Sequence, residues 1–356
     1  MLFNYVYVGH RLEKLQTWLE HLVKKVWCDP KPHFYLRLLE PEFQKIVRET
    51  VKNSKKKDYL WKPIREIHDI CRDQLSAQER LALAKWFDDN NDIESLCIGR
   101  AGIKPITYTD IAKINVQLAD KLEVFCTNLW CKVRKLKPVQ ASIGTLSGHF
   151  KDFRNINKTA TCPFCGLVRL EGTFNSTQED YDHYLPKGIY AFNSVTLKNL
   201  APICDKCNKK FKLKQDPLHT KTKKIRRKAF YAFSTLNAGI NLSIAINPVK
   251  GAPIDHQNLI PANISLSITS PGREEELAGW KELFKIEARY KDVCCAGDTG
   301  GSYWLEQVLG EMRLNGKTPA DALYNVQRAA AESKWADTNF LKIPFLDGCR
   351  DAGLIK

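Results

Sequence analysis

The sequence lacks the apolar run of roughly 20 residues that a membrane-spanning helix needs. Its start, MLFNYVYVGHRLEK, lacks a basic leader, a sustained apolar core and a small-residue cleavage site, so we expect no signal peptide. The P-loop pattern G-x-x-x-x-G-K-[ST] is also missing, which argues against nucleotide hydrolysis by that route. The absence of a membrane span and of a signal peptide predicts a cytoplasmic protein without a membrane partner.

Internal repeats are missing as well, and low complexity is confined to one basic block. The chain has 356 residues, of which 44% are hydrophobic and 27% are charged. A globular protein of this length has room for two or three domains, each with its own hydrophobic core.

Most of residues 1–150 show the periodicity of amphipathic helices. Apolar residues recur at helical spacing in segments 11–27 and 109–130, and the second segment starts at a suitable cap, Thr109 or Asp110. We expect this region to form a mainly helical domain that binds a protein partner or nucleic acid.

Two shorter segments of this region carry local signals. Segment 76–87 opens with Ser76, and Glu79 follows three residues later, which is a capping-box pattern that favours a third helix. Segment 53–58, NSKKKD, is expected to be a loop.

A domain boundary is expected near residue 150, because segment 138–161 mixes Gly, Ser and Thr with few apolar positions. Short strand-like pieces follow at 166–171, 172–175, 241–246 and 264–269. Helical patterns return at 274–290, 303–314 and 320–335. We therefore expect an α+β protein whose last region is mixed and mostly helical. The expected domains are 1–150, 151–230 and 231–356.

Positive charge is concentrated in one short block. The net charge of the chain is +15, and residues 198–228 alone hold 12 Lys or Arg against 2 Asp or Glu. Such a block attracts a polyanion through its long-range field and through counterion release. The alternative is a solvated surface without a partner, which is the commoner outcome for a charged run.

Four of the twelve cysteines form two C-x-x-C pairs, Cys162/Cys165 and Cys204/Cys207, with 38 residues between them. A C-x-x-C turn lets two thiolates reach one tetrahedral Zn²⁺. Two pairs that close the same segment indicate a structural Cys₄ zinc site. The other eight cysteines show no paired spacing, and we expect them to be small buried residues.

The segment between the two cysteine pairs, together with the residue that follows the second pair, carries a second set of functional groups. Asp182 offers a hard oxygen ligand, His183 offers a titratable imidazole, and Asn199 and Asn208 offer amides beside the basic block. Hard oxygen ligands suit Mg²⁺ or Mn²⁺. An imidazole with a pKa of about 6.5 can remove a proton from water near neutral pH. Together these groups suffice to hydrolyse a phosphate ester.

The order CPFC…YDHYLPK…NLAPICDKCNKKFK, within residues 160–215, resembles the HNH endonucleases of the ββα-metal or His-Me finger superfamily. The likeness is to their zinc-stapled branch, which has the signatures D-H-x-x-P-K and N-L-x-P-x-C-x-x-C-N. The resemblance implies a small core made of a β-hairpin and a helix, closed by the structural zinc.

The resemblance also implies a role for each signature residue. His183, ending the first strand of the hairpin, would be the general base that activates water. Asp182 and Asn208, the latter opening the helix after the second cysteine pair, would hold a catalytic Mg²⁺ or Mn²⁺. Asn199 would hold the hairpin loop and the histidine through side-chain-to-backbone hydrogen bonds. Products would carry 5′-phosphate and 3′-hydroxyl ends.

Adjacent residues of a strand point to opposite faces, so we expect a bend or bulge at Asp182 and His183 that brings both to one phosphate. Many relatives have a lysine three residues after the final asparagine, where this chain has Phe211. The cations expected to contact nucleic acid are Lys187, Lys209, Lys210 and Lys212.

The resulting prediction is a metal-dependent endonuclease that acts on DNA. An effector role in a prokaryotic defence system, with a regulatory partner such as an ATPase, is compatible with it. Two alternatives stay open: a zinc-stapled nucleic-acid-binding module without catalysis, and a nuclease that acts on RNA. Asn199 can also be interpreted as a turn cap, and Asn208 as a helix N-cap.

Overall fold

A computed structural model gives the structure of the protein. It describes residues 1–52, 58–172, 174–175, 177–222 and 224–356. These residues form a mixed structure of many α-helices and two small antiparallel sheets, each of two strands. No helix in the described ranges combines the length and the apolar character that crossing a bilayer requires. The loop expected at 53–58 lies, except for Asp58, outside the described residues.

The N-terminal region is helical, as its periodicity predicts. Its α-helices are α1 (Lys14–His21), α2 (Pro41–Lys52), α3 (Trp61–Gln74), α4 (Ala77–Asn91), α5 (Ile93–Ile98), α6 (Tyr108–Ala112), α7 (Val116–Cys131), α8 (Lys137–Ile143) and α9 (Leu146–Ile156). Helix α1 continues as a π-helical segment, Leu22–Trp27. The capping box predicted at Ser76 and Glu79 is present, because each side chain accepts a hydrogen bond from the backbone N–H of the other residue.

The structure differs from the sequence prediction in two places of this region. Segment 109–130 forms the two helices α6 and α7, because the side chain of Asn115 caps α7 and interrupts the longer helix. Segment 138–161 contains α8 and α9, because the buried rings of Phe150 and Phe153 stabilise a helix that its small polar residues do not predict. Residue 150 therefore lies inside a helix.

The β-structure consists of two hairpins. Their strands are β1 (Asp180–His183) with β2 (Leu200–Ile203), and β3 (Asn241–Ile246) with β4 (Ile264–Thr269). Strands β3 and β4 coincide with two predicted pieces. The pieces predicted at 166–171 and 172–175 do not form strands in the part that the structure describes, where Thr161 and Arg169 make an isolated bridge. Thr173 lies outside the described residues.

Helices return after the second hairpin, as the sequence predicts. They are α10 (Glu274–Phe284), α11 (Ile286–Cys295), α12 (Gly301–Asn315), α13 (Pro319–Glu332) and α14 (Asn339–Asp351). Segment 274–290 is divided at Lys285, whose left-handed φ of 52° ends α10. Helix α14 packs against β3 and α13, so the second hairpin is covered by helix.

Two clusters of buried apolar residues form the core. One cluster combines the four paired cysteines with α10 to α14 and with Tyr5 near the N-terminus. The other combines α1 to α4 with α6 to α8. Hairpin β1–β2 contributes to both, because Tyr181 and Leu200 belong to the helical cluster while Ala201 and Ile203 belong to the cysteine cluster. The hairpin is therefore held from both sides, and the expected division into domains stays a prediction.

Candidate functional site

Hairpin β1–β2 carries Asp182 and His183 on its first strand. The ladder pairs Asp182 with Ala201 and His183 with Leu200, one residue against one. The expected bulge is therefore absent. A regular ladder suffices, because His183 is the last residue of the strand and both side chains border a cavity at that end.

Asn199 holds the loop between the two strands. It is fully buried; its Oδ1 accepts a hydrogen bond from the N–H of Leu185 at 2.8 Å, and its Nδ2 donates to the Leu185 carbonyl oxygen at 2.9 Å. Nδ2 also lies 3.3 Å from the carbonyl oxygen of Asn193. These bonds fix the backbone of the loop that carries Ser194, and Ser194 in turn contacts His183.

The imidazole of His183 is held in one tautomer. Its Nε2 lies 2.8 Å from the carbonyl oxygen of Ser194, which can only accept, so Nε2 carries the proton. Nδ1 makes no hydrogen bond with any described residue. Burial, with smaller contributions from the charges of Lys187 and Lys212, lowers the pKa of His183 from 6.5 to about 3. The ring is therefore neutral near pH 7, and Nδ1 is its proton acceptor.

Asp182 forms a buried ion pair with Lys212. The lysine Nζ donates one hydrogen bond to Oδ1 of Asp182 and another to the carbonyl oxygen of His183, both at 3.0 Å. Nζ is also 2.9 Å from Oδ2, which is a charge contact and not a hydrogen bond, so Oδ2 is a buried acceptor that receives no hydrogen bond from the described residues. Burial raises the pKa of Asp182, and the charge of Lys212 opposes this only in part.

This ion pair corrects one sequence expectation. Lys212 is fully buried, so its ammonium group faces Asp182 and not a nucleic acid at the surface. The physical reason is that a carboxylate with 4% of its residue surface exposed needs a counter-charge in the interior.

Asn208 lies in a π-helical segment, Lys206–Lys212, that contains Cys207. It is the third residue of this segment and does not open it; its N–H donates to the carbonyl oxygen of Cys204, so it is not an N-cap. Its side-chain amide has no hydrogen-bond partner in the described ranges. π-Helical turns are frequent at functional sites.

The three signature side chains border one cavity of about 450 Å³. Its walls come from the hairpin and its loop, from the π-helical segment with the residues after it, and from helix α7. The lining residues are Glu123, Thr127, Tyr181, Asp182, His183, Pro186, Lys187, Gly188, Ile189, Asn208, Leu213 and Lys214.

The remaining predicted cations lie in different surroundings. Lys187 borders the cavity and makes no ion pair with a described residue. Lys209 pairs with Asp180 at 3.0 Å and with Asp205 at 2.9 Å, so its charge is neutralised. Lys210 is exposed and has no partner in the part of the chain that the structure describes. Lys187 and Lys210 therefore keep charge that can meet a phosphate.

Glu123, Thr127 and Lys214 are among the lining residues that are absent from the sequence prediction. Glu123 and Thr127 are one turn apart on α7, and Trp130 follows one turn later with its ring centroid 4.8 Å from that of His183. The spacing i, i+4, i+7 shows that these three share a face of α7. A single sequence does not tell which distant segment such a face meets, so no signal could have placed it at this site.

The two cysteine pairs form a buried cluster. Their four Sγ atoms all lie within 4.8 Å of one another, and those of Cys165 and Cys204 are 3.9 Å apart. Tetrahedral Zn–S bonds of about 2.3 Å place sulfur atoms about 3.8 Å apart. Gly166, with a φ of 71°, tightens the first turn, and its N–H donates to the carbonyl oxygen of Cys162 at 2.7 Å. The cluster therefore has the geometry of a structural zinc site.

The cluster is anchored to the C-terminal helices. Trp280 Nε1 donates to the carbonyl oxygen of Phe164 at 2.8 Å, and the hydroxyl of Tyr290 donates to that of Cys165 at 2.9 Å. Arg289 Nη1 donates to the Sγ of Cys207 at 3.4 Å. Because Cys207 directly precedes Asn208, a metal bound by the sulfur atoms also fixes the backbone of one wall of the cavity.

The cavity also fits the divalent cation that the resemblance implies. Oδ2 of Asp182 is a buried acceptor that receives no hydrogen bond from the described residues, and the side chain of Asn208, which also has no described partner, borders the same space. Mg²⁺ typically takes one or two protein oxygen ligands and keeps several waters. The cavity has room for such waters beside these two residues.

Comparison of the chain with protein-family models, with curated proteins and with solved structures finds no match. Function is therefore inferred from the cavity, from the cysteine cluster and from the chemistry of the side chains that form them.

Proposed function

We propose that the protein is a metal-dependent endonuclease of the HNH type that hydrolyses phosphodiester bonds in DNA. The observation that carries this proposal is that Asp182, His183 and Asn208 border a single cavity. The π-helical segment that supplies Asn208 also contains Cys207 of the four-cysteine cluster. The basic residues on and around this segment give the field that attracts a polyanion.

In this proposal His183 is the general base. Its Nδ1 takes a proton from the attacking water, while the bond from Nε2–H to the carbonyl oxygen of Ser194 keeps the ring in place and stabilises the imidazolium that forms. A phosphate in the cavity adds negative charge beside the ring, which raises the pKa of His183 from its low resting value towards the range of an effective base.

Asp182 and Asn208 would hold the divalent cation. When bound, the cation supplies neutralisation of the charge that develops on the phosphate and on the leaving 3′-oxygen. Lys212 keeps the Asp182 carboxylate oriented, and Asn199 keeps the loop in the conformation that positions Ser194. Lys187 and Lys214 at the cavity wall bind phosphate oxygens. The products carry 5′-phosphate and 3′-hydroxyl ends.

The test is a cleavage assay of the full chain with Mg²⁺ or Mn²⁺ on supercoiled plasmid, single-stranded DNA and RNA. His183→Ala is expected to lower the rate on DNA by about 10²- to 10⁴-fold, because the general base is lost. His33→Ala is the control, since His33 is exposed and does not border the cavity. Metal analysis of the same preparations should find about one zinc per chain.

Other outcomes lead to other conclusions. Plasmid cleavage that is equal in His183→Ala and His33→Ala refutes the role of His183. Cleavage of RNA alone changes the substrate but keeps the chemistry. Tight DNA binding without cleavage, in a preparation with full zinc content, indicates a binding module instead of an enzyme.

A further inference from the structure

Helix α7 forms a wall of the cavity although it lies outside the signature segment. Glu123 and Thr127 border the cavity, and Trp130 contacts His183 through its ring. The helix is also bonded to the hairpin loop, because Ser194 Oγ donates to the carbonyl oxygen of Cys126 at 2.8 Å. The same Ser194 fixes the tautomer of His183, so the position of α7 is coupled to the position of the base.

Of the charged residues that border the cavity, some have an ion-pair partner and others have none among the described residues. Asp182 and Glu123 are the acidic residues among the lining groups, and Asp182 is compensated by Lys212 at 2.9 Å. Glu123 makes no ion pair or hydrogen bond with a described residue. Lys187 and Lys214 add positive charge to the same walls. A divalent cation that enters the cavity therefore meets one carboxylate whose charge is not already compensated, and this carboxylate is on α7.

Two observations together point to a cation at this position. Asp182 borders the cavity although the residue is only 4% exposed, and its Oδ2 has the charge contact with Lys212 Nζ at 2.9 Å but receives no hydrogen bond from a described residue. Glu123 lines the same cavity as Lys187 and Lys214, and without a cation its carboxylate would repel the phosphate that these lysines attract. A hard cation that keeps part of its water shell resolves both conflicts, because it satisfies an oxygen acceptor and separates two negative groups.

We propose that Glu123 is part of the divalent-cation site, holding water ligands of the cation from helix α7. This inference rests on the proposed function, because it concerns the same cation that Asp182 and Asn208 would bind. It assigns the N-terminal helical region a direct part in the site. The aspartate of the hairpin is already paired with a lysine, and α7 supplies the additional negative charge that the cation needs.

The test measures Mn²⁺ binding directly and needs no substrate. The full chain with its zinc in place is titrated with Mn²⁺ at about 0.15 M salt, where charges outside the site are screened. Free Mn²⁺ is followed by its electron paramagnetic resonance signal. Glu123→Gln is expected to raise the Kd for Mn²⁺ about 10-fold, the size of effect typical for a group that holds a metal's outer ligands.

Glu332→Gln is the matched control, because it removes the same charge from an exposed residue of α13 that does not border the cavity. It is expected to change the Kd by less than about 2-fold. Asp182→Asn is expected to abolish the site. Equal Kd values for Glu123→Gln and Glu332→Gln, with binding lost in Asp182→Asn, would overturn the role of Glu123 and leave the proposed function standing. Mn²⁺ binding that does not depend on Asp182 would overturn both.

Discussion

At the scale of single residues, the buried ion pair with Lys212 fixes the orientation of the Asp182 carboxylate at the site. The lysine is fully buried and donates to both Asp182 and the backbone of His183, so one ammonium group connects the two signature residues. Two opposite charges in an apolar interior depend on each other, because neither can be hydrated.

Lys212→Met should lower the free energy of unfolding by about 3–5 kcal/mol, because it leaves the Asp182 carboxylate buried without a counter-charge. The double variant Asp182→Asn/Lys212→Met should regain much of this loss, since no buried charge remains. Urea denaturation measures both. Lys210→Met, at an exposed lysine without a described partner, should stay within about 0.5 kcal/mol of the parent. Equal losses for Lys210→Met and Lys212→Met would show that the pair does not form in solution.

His149 gives stability a defined dependence on pH. Its ring is buried, with Nε2 3.1 Å from the carbonyl oxygen of Val8 and Nδ1 2.6 Å from the hydroxyl of Tyr181. Burial, together with the nearby His10, lowers the pKa of His149 below 6.5; the bond to Val8 opposes this, as do two neighbouring acids, Asp152 and Glu13. Below pH 6.5 His149 binds a proton in the unfolded chain but stays neutral in the folded protein, so the free energy of unfolding falls as pH falls.

The contribution of His149 to the slope is up to about 1.4 kcal/mol per pH unit below pH 6.5, and His149→Phe should reduce the slope of the parent by this amount, while the contribution of His183 remains. Unfolding free energies of parent and variant at about pH 7.5 and about pH 5.5 give the comparison. The variant also loses its bonds to Val8 and Tyr181 at both pH values, so only the difference between them is informative. An unchanged slope in His149→Phe would mean that the buried ring is protonated in the folded protein.

Residue identities at the site follow from the sequence, but their partners do not. The order of the cysteine pairs, Asp182, His183 and Asn208 along the chain is enough to suggest one site. The sequence does not predict that Lys212 is buried, because its partner is 30 positions away and the surrounding run of lysines has the composition of an exposed surface. The position of Glu123 at the cavity is equally unpredictable, since the helical pattern does not indicate which distant segment this face of the helix contacts.

At the scale of elements, the first cysteine turn depends on one glycine. Gly166 has a φ of 71°, and a Cβ placed there would lie 2.4 Å from Leu2 Cδ1 and 2.6 Å from the ring of Phe340. The turn is therefore packed from two sides by residues that are far away in the sequence.

Gly166→Ala should destabilise the protein by about 2–4 kcal/mol, because it combines a left-handed backbone with overpacking. It should also speed the release of zinc to a chromophoric chelator. Gly172→Ala is the control, since a Cβ there meets no atom of the described residues within 4 Å and its φ is not positive. Zinc release at the same rate from both variants would show that the turn tolerates a side chain.

The elements themselves were predictable where a local signal dominates. Ser76 with Glu79 marks the start of α4, and alternation marks β3 and β4. The break at Asn115 and the left-handed Lys285 divide segments whose apolar periodicity is continuous, so periodicity alone joins them. The π-helical form of Lys206–Lys212 has no separate sequence signal, and its last residue, Lys212, pairs with Asp182, which is 30 positions away.

At the scale of the whole molecule, the excess of positive charge can bind DNA phosphates only where a basic side chain is not already paired with an acid. Lys187 and Lys209 are both near the hairpin and both belong to the predicted cation set. Lys209 is neutralised by Asp180 and Asp205, whereas Lys187 borders the cavity without an ion-pair partner in the described ranges.

Lys187→Gln should reduce the slope of log K for DNA binding against log salt by about 1, because one phosphate contact is lost. Lys209→Gln should leave the slope nearly unchanged, since its charge is already compensated. Fluorescence anisotropy with a labelled duplex, without divalent cation so that no cleavage occurs, gives both slopes. The same reduction in both variants would contradict the pairing of Lys209 with its two aspartates.

The hydrogen bonds made by residues 2 to 5 have a consequence for biosynthesis. Leu2 N–H is bonded to the carbonyl oxygen of Pro163, and the hydroxyl of Tyr5 is bonded to that of Pro202, 197 positions later. A ribosome adds about 5–20 residues per second, so this segment stays without its partner for about 10–40 s. The order of translation and the order of assembly are therefore opposed, and the side chains of Leu2 and Tyr5 stay without their native contacts during that interval.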